Sequence, residues 1–115
     1  MHSRLDFITD WNVIVQEARY EPSKVAGKCK VSLRQLERFF LERFGVTPKA
    51  WMDELRINQA IELIAAGESV KSTAFKLGFK QASHFSRVFK HLAGMSPRAF
   101  ASTLTAREDE DVVIR

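Results

Sequence analysis

Apolar residues recur at three- and four-residue spacing along most of the chain, the pattern of helices with one buried face. Phe7, Ile8, Trp11, Ile14, Val15 and Ala18 form the first such stripe. At Glu21-Pro22 the proline presets the backbone for a helix start and lacks an amide that a first turn leaves unused, so a second, short helix is expected over 22–29. It presents Val25, Ala26 and Cys29 to a core. Ser32 and Gln35 stand at the spacing of a capping box, which starts a third helix running to about Phe44 with Leu33, Leu36 and Phe40 turned inward, and Gly45 ends it. Thr47-Pro48 opens a fourth helix, expected to be the longest, carrying Trp51, Leu55, Ala60, Ile61 and Ile64 as far as Gly67. Its 19 or so residues would span about 28 Å, the dimension of a rigid spacer. Ser69 opens a fifth, short helix with Val70, Thr73, Ala74 and Leu77; Gly78-Phe79 makes a turn; a sixth helix over 81–92 buries Phe85, Val88, Phe89 and Leu92. Ser96-Pro97 opens the last helix, toward Leu104, and residues 105–115 are expected to be a frayed tail. No segment alternates with period two. The expected fold class is therefore all-α, with about seven helices.

The pattern also repeats itself. Arg38, Phe40, Gly45, Pro48 and Ala50 are answered 49 residues later by Arg87, Phe89, Gly94, Pro97 and Ala99, and similar residues extend the match: Leu36 with Phe85, Thr47 with Ser96, Trp51 with Phe100. One structural unit is present twice. The expected organisation is a first helix-turn-helix unit over 1–46, a linker helix over 47–67, a second unit over 68–104 and a tail over 105–115. A duplicated small helical unit suggests two equivalent contacts on a partner that is itself periodic, and double-stranded DNA is the periodic anion that fits.

Charge sharpens this picture. The net charge of +4 is modest, but from Ser69 through Arg107 the chain has no acidic residue and carries Lys71, Lys76, Lys80, Arg87, Lys90, Arg98 and Arg107. A solvated surface is the ordinary explanation of a basic stretch. Here the basic residues fall within the repeat, and a field of one sign points to phosphate. A membrane is set aside, because no segment approaches ~18 consecutive apolar residues. Cys29 is the only cysteine, which rules out an intrachain disulfide and suits a reducing compartment. The first residues carry Asp6, Asp10 and Glu17 and no apolar signal stretch, so the expected location is the cytoplasm, at the nucleoid.

Each half reads as a short helix, a tight turn and a longer helix, the arrangement in which the second helix enters the major groove. On the first of these longer helices Arg34, Glu37, Arg38 and Leu41 share one stripe, opposite Leu36 and Phe40. Arginine donates two bonds to guanine and a carboxylate accepts from cytosine, so the stripe suits base edges. On the second, the matching stripe holds Ala82, Ser83, Ser86 and Arg87. Phosphate contacts are expected from Ser32, Lys80, Gln81, Lys90 and Arg98.

The segment Gly78-Phe79, Ser83-His84-Phe85-Ser86-Arg87, Phe89-Lys90, Gly94 and Ser96-Pro97 with Phe100 resembles the signature of the AraC/XylS family of bacterial transcription regulators. The resemblance covers about Ile8 to Leu104 and includes the earlier Leu36, Arg38, Phe40, Gly45 and Thr47-Pro48 element. It implies two helix-turn-helix units on one long helix, with base-facing positions at Arg34, Glu37 and Arg38 and at Ala82, Ser83, Ser86 and Arg87. This sequence departs from the pattern at Lys30, where a turn glycine is usual, at Gln81, where Asp or Ser would cap the helix, and at Thr73, where a larger aliphatic is usual. Many relatives join this module to a ligand-sensing or dimerising domain, which is absent from these 115 residues.

Other residues receive plainer readings. His84 and His91 share a face but lie ~10.5 Å apart along a helix, too far to share one metal ion, so packing or phosphate contact is expected and neither a metal nor a cofactor is. Cys29 lies on an inward stripe with no His or carboxylate to activate it, which disfavours a DNA-repair methyl acceptor. Trp11, Trp51 and the phenylalanines follow the inward spacing and are read as core. Gly27 is read as a site of close packing. The expected function is sequence-specific transcription regulation without catalysis, a monomer placing two recognition helices in successive major grooves of one asymmetric site. The alternatives are a DNA-binding fragment of a larger ligand-sensing regulator, or an interaction module contacting RNA polymerase or RNA.

Overall fold

The computed structural model describes the backbone of residues 4–114 and the side chains of residues 5–105. A 3-10 turn, Arg4–Phe7, precedes seven α-helices: α1 Trp11–Glu17, α2 Pro22–Lys28, α3 Leu33–Phe44, α4 Pro48–Ala65, α5 Val70–Lys76, α6 Ala82–Ala93 and α7 Pro97–Ile114. There is no strand among the described residues. The chain divides into two compact units between Leu55 and Arg56, so the division falls within α4.

In the first unit the core is Leu5, Trp11, Val15, Ala18, Val25, Ala26, Cys29, Leu36, Phe40 and Met52. Phe40 is its hub: its ring meets Trp11 at 4.9 Å, Phe44 at 5.0 Å and Trp51 at 5.7 Å, each edge-on. Edge-to-face contact is the favourable arrangement for rings with negative faces and positive edges. The stripe expected to begin at Phe7 starts four residues later. α1 begins only at Trp11, after Asp10, whose side chain makes no cap bond, and Phe7 ends the preceding 3-10 turn outside that register, 78% exposed. Leu5 takes the buried place instead.

In the second unit the core is Ile57, Ala60, Ile64, Ala74, Leu77, Phe79, Phe85 and Phe89. α4 therefore serves both cores, Met52 in the first and Ile57, Ala60 and Ile64 in the second. Ser69 caps α5 by accepting from the Ser72 amide at 3.0 Å, and Gly94 ends α6 at φ 86. Leu33 and Leu92, expected inside, are exposed, since one opens α3 and the other lies in the last turn of α6. Phe75 is also outside the core, 76% exposed. Gly27 is not closely packed, because a Cβ there would meet nothing within 4 Å. α7 continues past Leu104 to Ile114 and matches α4 at 18 residues, so α4 is not the single longest helix. No Gly or Pro interrupts 98–114, and the acidic run there is compatible with helix.

The repeat changes register within each unit. α3 and α6 correspond at an offset of 49, whereas α2 and α5 correspond at 48. Backbone bonds mark the second offset: Cys29 N to Val25 O (3.0 Å) is matched by Leu77 N to Thr73 O (3.1 Å), and Val31 N to Ala26 O (3.1 Å) by Phe79 N to Ala74 O (3.0 Å). The connection 29–32 becomes 77–81, one residue longer. Left-handed Lys30 (φ 57) and Gly78 (φ 82) occupy equivalent places in the two turns.

Candidate nucleic-acid interface

α3 is closed at its start by a reciprocal cap. The Gln35 amide donates to Ser32 Oγ at 3.1 Å, and the Ser32 amide donates to Gln35 Oε1 at 2.8 Å. Complete burial of Leu36 and Phe40 fixes the roll of the helix, and Arg34, Glu37, Arg38 and Leu41 are exposed on the other side. Ser32 is exposed, but its oxygen already accepts one bond in the cap.

α6 follows the same logic with different chemistry. Phe85 and Phe89 are fully buried and meet edge-on at 5.7 Å, Ala82, Ser83 and Arg87 are exposed, and Ser86 is half-buried. Gln81 sits at the N-cap with no side-chain cap bond. Lys80, Gln81, Lys90 and Arg98 are all exposed. His84 is half-buried and packs its ring against Phe79 at 5.5 Å, whereas His91 is exposed.

Not every cation in the acid-free stretch is free to meet phosphate. Glu68, just ahead of it, accepts from Lys76 Nζ at 2.7 Å and from the Ser72 hydroxyl at 2.8 Å. The hydrogen bond from Lys76, then that from Ser72, holds the Glu68 carboxyl below its ordinary range. Lys76 is thereby partly neutralised.

Arg56 is the residue that sequence patterning misses. It lies in the inward register of α4, only 8% exposed, with its guanidinium 3.8 Å over the Phe79 ring and Nη1 donating to the Leu77 carbonyl at 3.4 Å. Phe79 in turn touches Phe85 at 5.2 Å, so Arg56 supports the turn that delivers α6. A cation four residues after Met52 and four before Ala60 was the available signal, and a charge at such a position ordinarily reads as surface. Cys29 is buried, and burial pushes its thiol up, away from the nucleophilic thiolate.

A family profile described as a helix-turn-helix domain matches residues 25–103. Among curated proteins, the chain is similar to the HTH-type transcriptional activator RhaS of Escherichia coli O139:H28 (strain E24377A / ETEC), 33% identical over 99 residues that cover 84% of this chain and 35% of that protein. RhaS of Escherichia coli O1:K1 / APEC is 32% identical with the same coverage. The chain thus spans about a third of the length of these relatives. Among solved structures, a transcriptional regulator of Chromobacterium violaceum with an AraC-type DNA-binding domain superposes with a TM-score of 0.68 at 26% identity, covering 81% of this chain and 86% of that one. The C-terminal domain of the response regulator yesN from Fusobacterium nucleatum shares the fold, with a TM-score of 0.71 at 20% identity over 78% of this chain and 91% of that one. The profile runs from within α2 into α7, across both repeated units, and the chain belongs to the AraC/XylS family of helix-turn-helix DNA-binding domains.

Proposed function

We propose that the chain is the DNA-reading part of a bacterial transcription regulator, with α3 and α6 as recognition helices in successive major grooves. The observation that carries this reading is the same in both units: two fully buried aromatic or aliphatic residues set the roll of the helix and leave a polar stripe outward. Arg34, Glu37 and Arg38 are the base readers of the first unit, and Ala82, Ser83, Ser86 and Arg87 those of the second. Ser32, Lys80, Gln81, Lys90 and Arg98 hold phosphates. Because one chain carries two recognition helices, it binds as a monomer to one asymmetric site. Within the cell it acts at the nucleoid. RhaS is named an activator, which supports a second contact of such a regulator, with RNA polymerase.

The test is selection of a preferred site from random duplexes, followed by binding to that duplex and to its scrambled version. Arg38→Ala and Arg87→Ala should each cost about 1–3 kcal/mol on the selected duplex and relax preference at one position in their own half-site. Affinity should fall steeply with salt, about 0.9 in log–log slope for each phosphate neutralised, and Lys90→Ala should flatten the slope without changing preference. Equal binding of selected and scrambled duplexes at every salt concentration would sink the reading.

A further inference from the structure

The outward stripe of α6 begins with small side chains, and charge complementarity to DNA does not account for that. Ala82 and Ser86, one turn apart, form a wall of a cleft of about 430 Å3. Val70 and Lys71 at the start of α5, and Pro97 and Arg98 at the start of α7, form its other walls. The lining is mainly carbon. In the first unit, the residues 49 positions before Ala82 and Ser86 are Leu33 and Glu37, both longer.

The two cations at this cleft are available. Lys71 and Arg98 are exposed, and no acidic side chain pairs with either among the described residues. Their surroundings contrast with those of Lys49, the counterpart of Arg98, which is tied to Asp53 at 3.1 Å. An apolar notch at the first turn of a recognition helix, between two exposed cations, complements an apolar group on a base edge flanked by phosphates. In the major groove only thymine presents such a group, its 5-methyl, and alanine is a side chain suited to contact it. Cytosine at the same place carries only hydrogen at its 5-position and would leave the notch unfilled. Ser86 both donates and accepts, so at the rim of the cleft it is compatible with either neighbouring base edge.

We propose that this cleft is the thymine-reading site of the second unit. The 5-methyl of one thymine seats against Ala82 Cβ and Val70, and Lys71 and Arg98 hold the phosphates on either side. The assignment rests on the DNA-binding reading above and adds to it the base chosen by α6 and two contacts, Val70 and Lys71, from outside the recognition helix.

Deoxyuridine provides the test, because it removes only the methyl and keeps Watson–Crick pairing. Each thymine of the selected duplex is replaced in turn, and binding of the full chain is measured by fluorescence anisotropy at fixed salt. One position should lose about fourfold in affinity, the worth of one buried methyl group. Ala82→Gly should bind the thymine and uracil duplexes equally at that position, with helical content unchanged by circular dichroism. Ala82→Leu, which copies Leu33 into the cleft, should lose discrimination at the same position and keep the preferences of the first unit. The proposal is overturned if every uracil duplex binds like the parent while the parent still outcompetes its scrambled version, an outcome that leaves DNA recognition standing. It is equally overturned if methyl sensitivity survives in Ala82→Gly. A chain that binds selected and scrambled duplexes alike removes both the site and the reading it rests on.

Discussion

In the first unit the turn before the recognition helix passes through Lys30 at φ 57, and the helix it delivers is closed by a reciprocal Ser32–Gln35 cap. In the second unit the turn passes through Gly78 at φ 82, and the helix starts at Gln81 with no side-chain cap. One unit holds a side-chain-bearing residue in a left-handed conformation and the other leaves a helix start uncapped, each costing about 1 kcal/mol. Both nevertheless build the same motif. The residues treated alike explain why: Leu36 and Phe85, Phe40 and Phe89, and Pro48 and Pro97 are fully buried, and Gly45 and Gly94 both end their helices left-handed. Tertiary burial sets the skeleton, and local capping and turn chemistry adjust its stability.

The largest expected effect breaks one core and leaves the other. Phe89→Ala should cost the second unit about 3–5 kcal/mol, as expected for emptying a fully buried aromatic site. Both tryptophans and the only tyrosine, Trp11, Trp51 and Tyr20, lie in the first unit, so tryptophan emission reports that unit alone. Helicity by circular dichroism should fall while tryptophan emission keeps its native maximum; a concerted loss of both signals would show that the cores do not stand separately. Phe40→Ala should also lower helicity, but with a red shift of the tryptophan emission.

A smaller effect concerns two positions in which the units differ. Thr73 takes the place held by Val25 in the first unit, fully buried, with its hydroxyl unpartnered among the described residues. Thr73→Val should stabilise the second unit by about 1–2 kcal/mol, since a shape-matched methyl replaces an unbonded polar group. Denaturant unfolding followed at 222 nm is the measurement, and a lowered midpoint would contradict the assignment of that hydroxyl as unsatisfied. Lys30→Gly should then bring the first turn toward the second and raise stability by about 1 kcal/mol or somewhat less, because glycine loses more freedom on folding. Here the tryptophan-detected midpoint is diagnostic.

The smallest effect is pH-dependent. The folded Glu68 carboxyl lies below its unfolded value, so its pairing with Lys76 and Ser72 contributes fully above the ordinary carboxylate range and is lost as pH falls through the depressed folded value. The melting temperature of Glu68→Gln should therefore lie slightly below wild type at neutral pH, and the two should converge in acid. A gap that persists well below the carboxylate range would assign the effect to something other than the charge.

Much of this fold is legible in the sequence, for reasons that can be traced to single residues. Ser32 with Gln35, Thr47-Pro48 and Ser96-Pro97 announce helix starts through local chemistry, and the apolar spacing orients α3 and α6. The 49-residue offset reads directly because no insertion separates Arg38 from Ala50 or Arg87 from Ala99. It hides the kinship of α2 with α5, since the longer second turn shifts their offset to 48 and separates Val25 from its counterpart Thr73. Phe7 and Phe75 mislead because aromatic residues read as core, whereas packing partners decide burial. Arg56 misleads in the opposite sense: a buried guanidinium needs a ring and a carbonyl contributed by residues about twenty positions away, and no local pattern carries that information. The outward stripes of the candidate interface are legible from periodicity alone, but the cleft beside Ala82 depends on three helix starts converging.

The unequal turns also bear on grafting. An exchange of 32–51 for 81–100 swaps recognition helices of equal length, cap to cap, and leaves each turn in its own frame. A transplant that also takes α5 brings the longer turn with it, and with that turn a Phe79 ring whose cationic lid, Arg56, lies on the preceding helix. The smallest portable cassette from the second half therefore begins inside α4, well upstream of the motif that gives the unit its name.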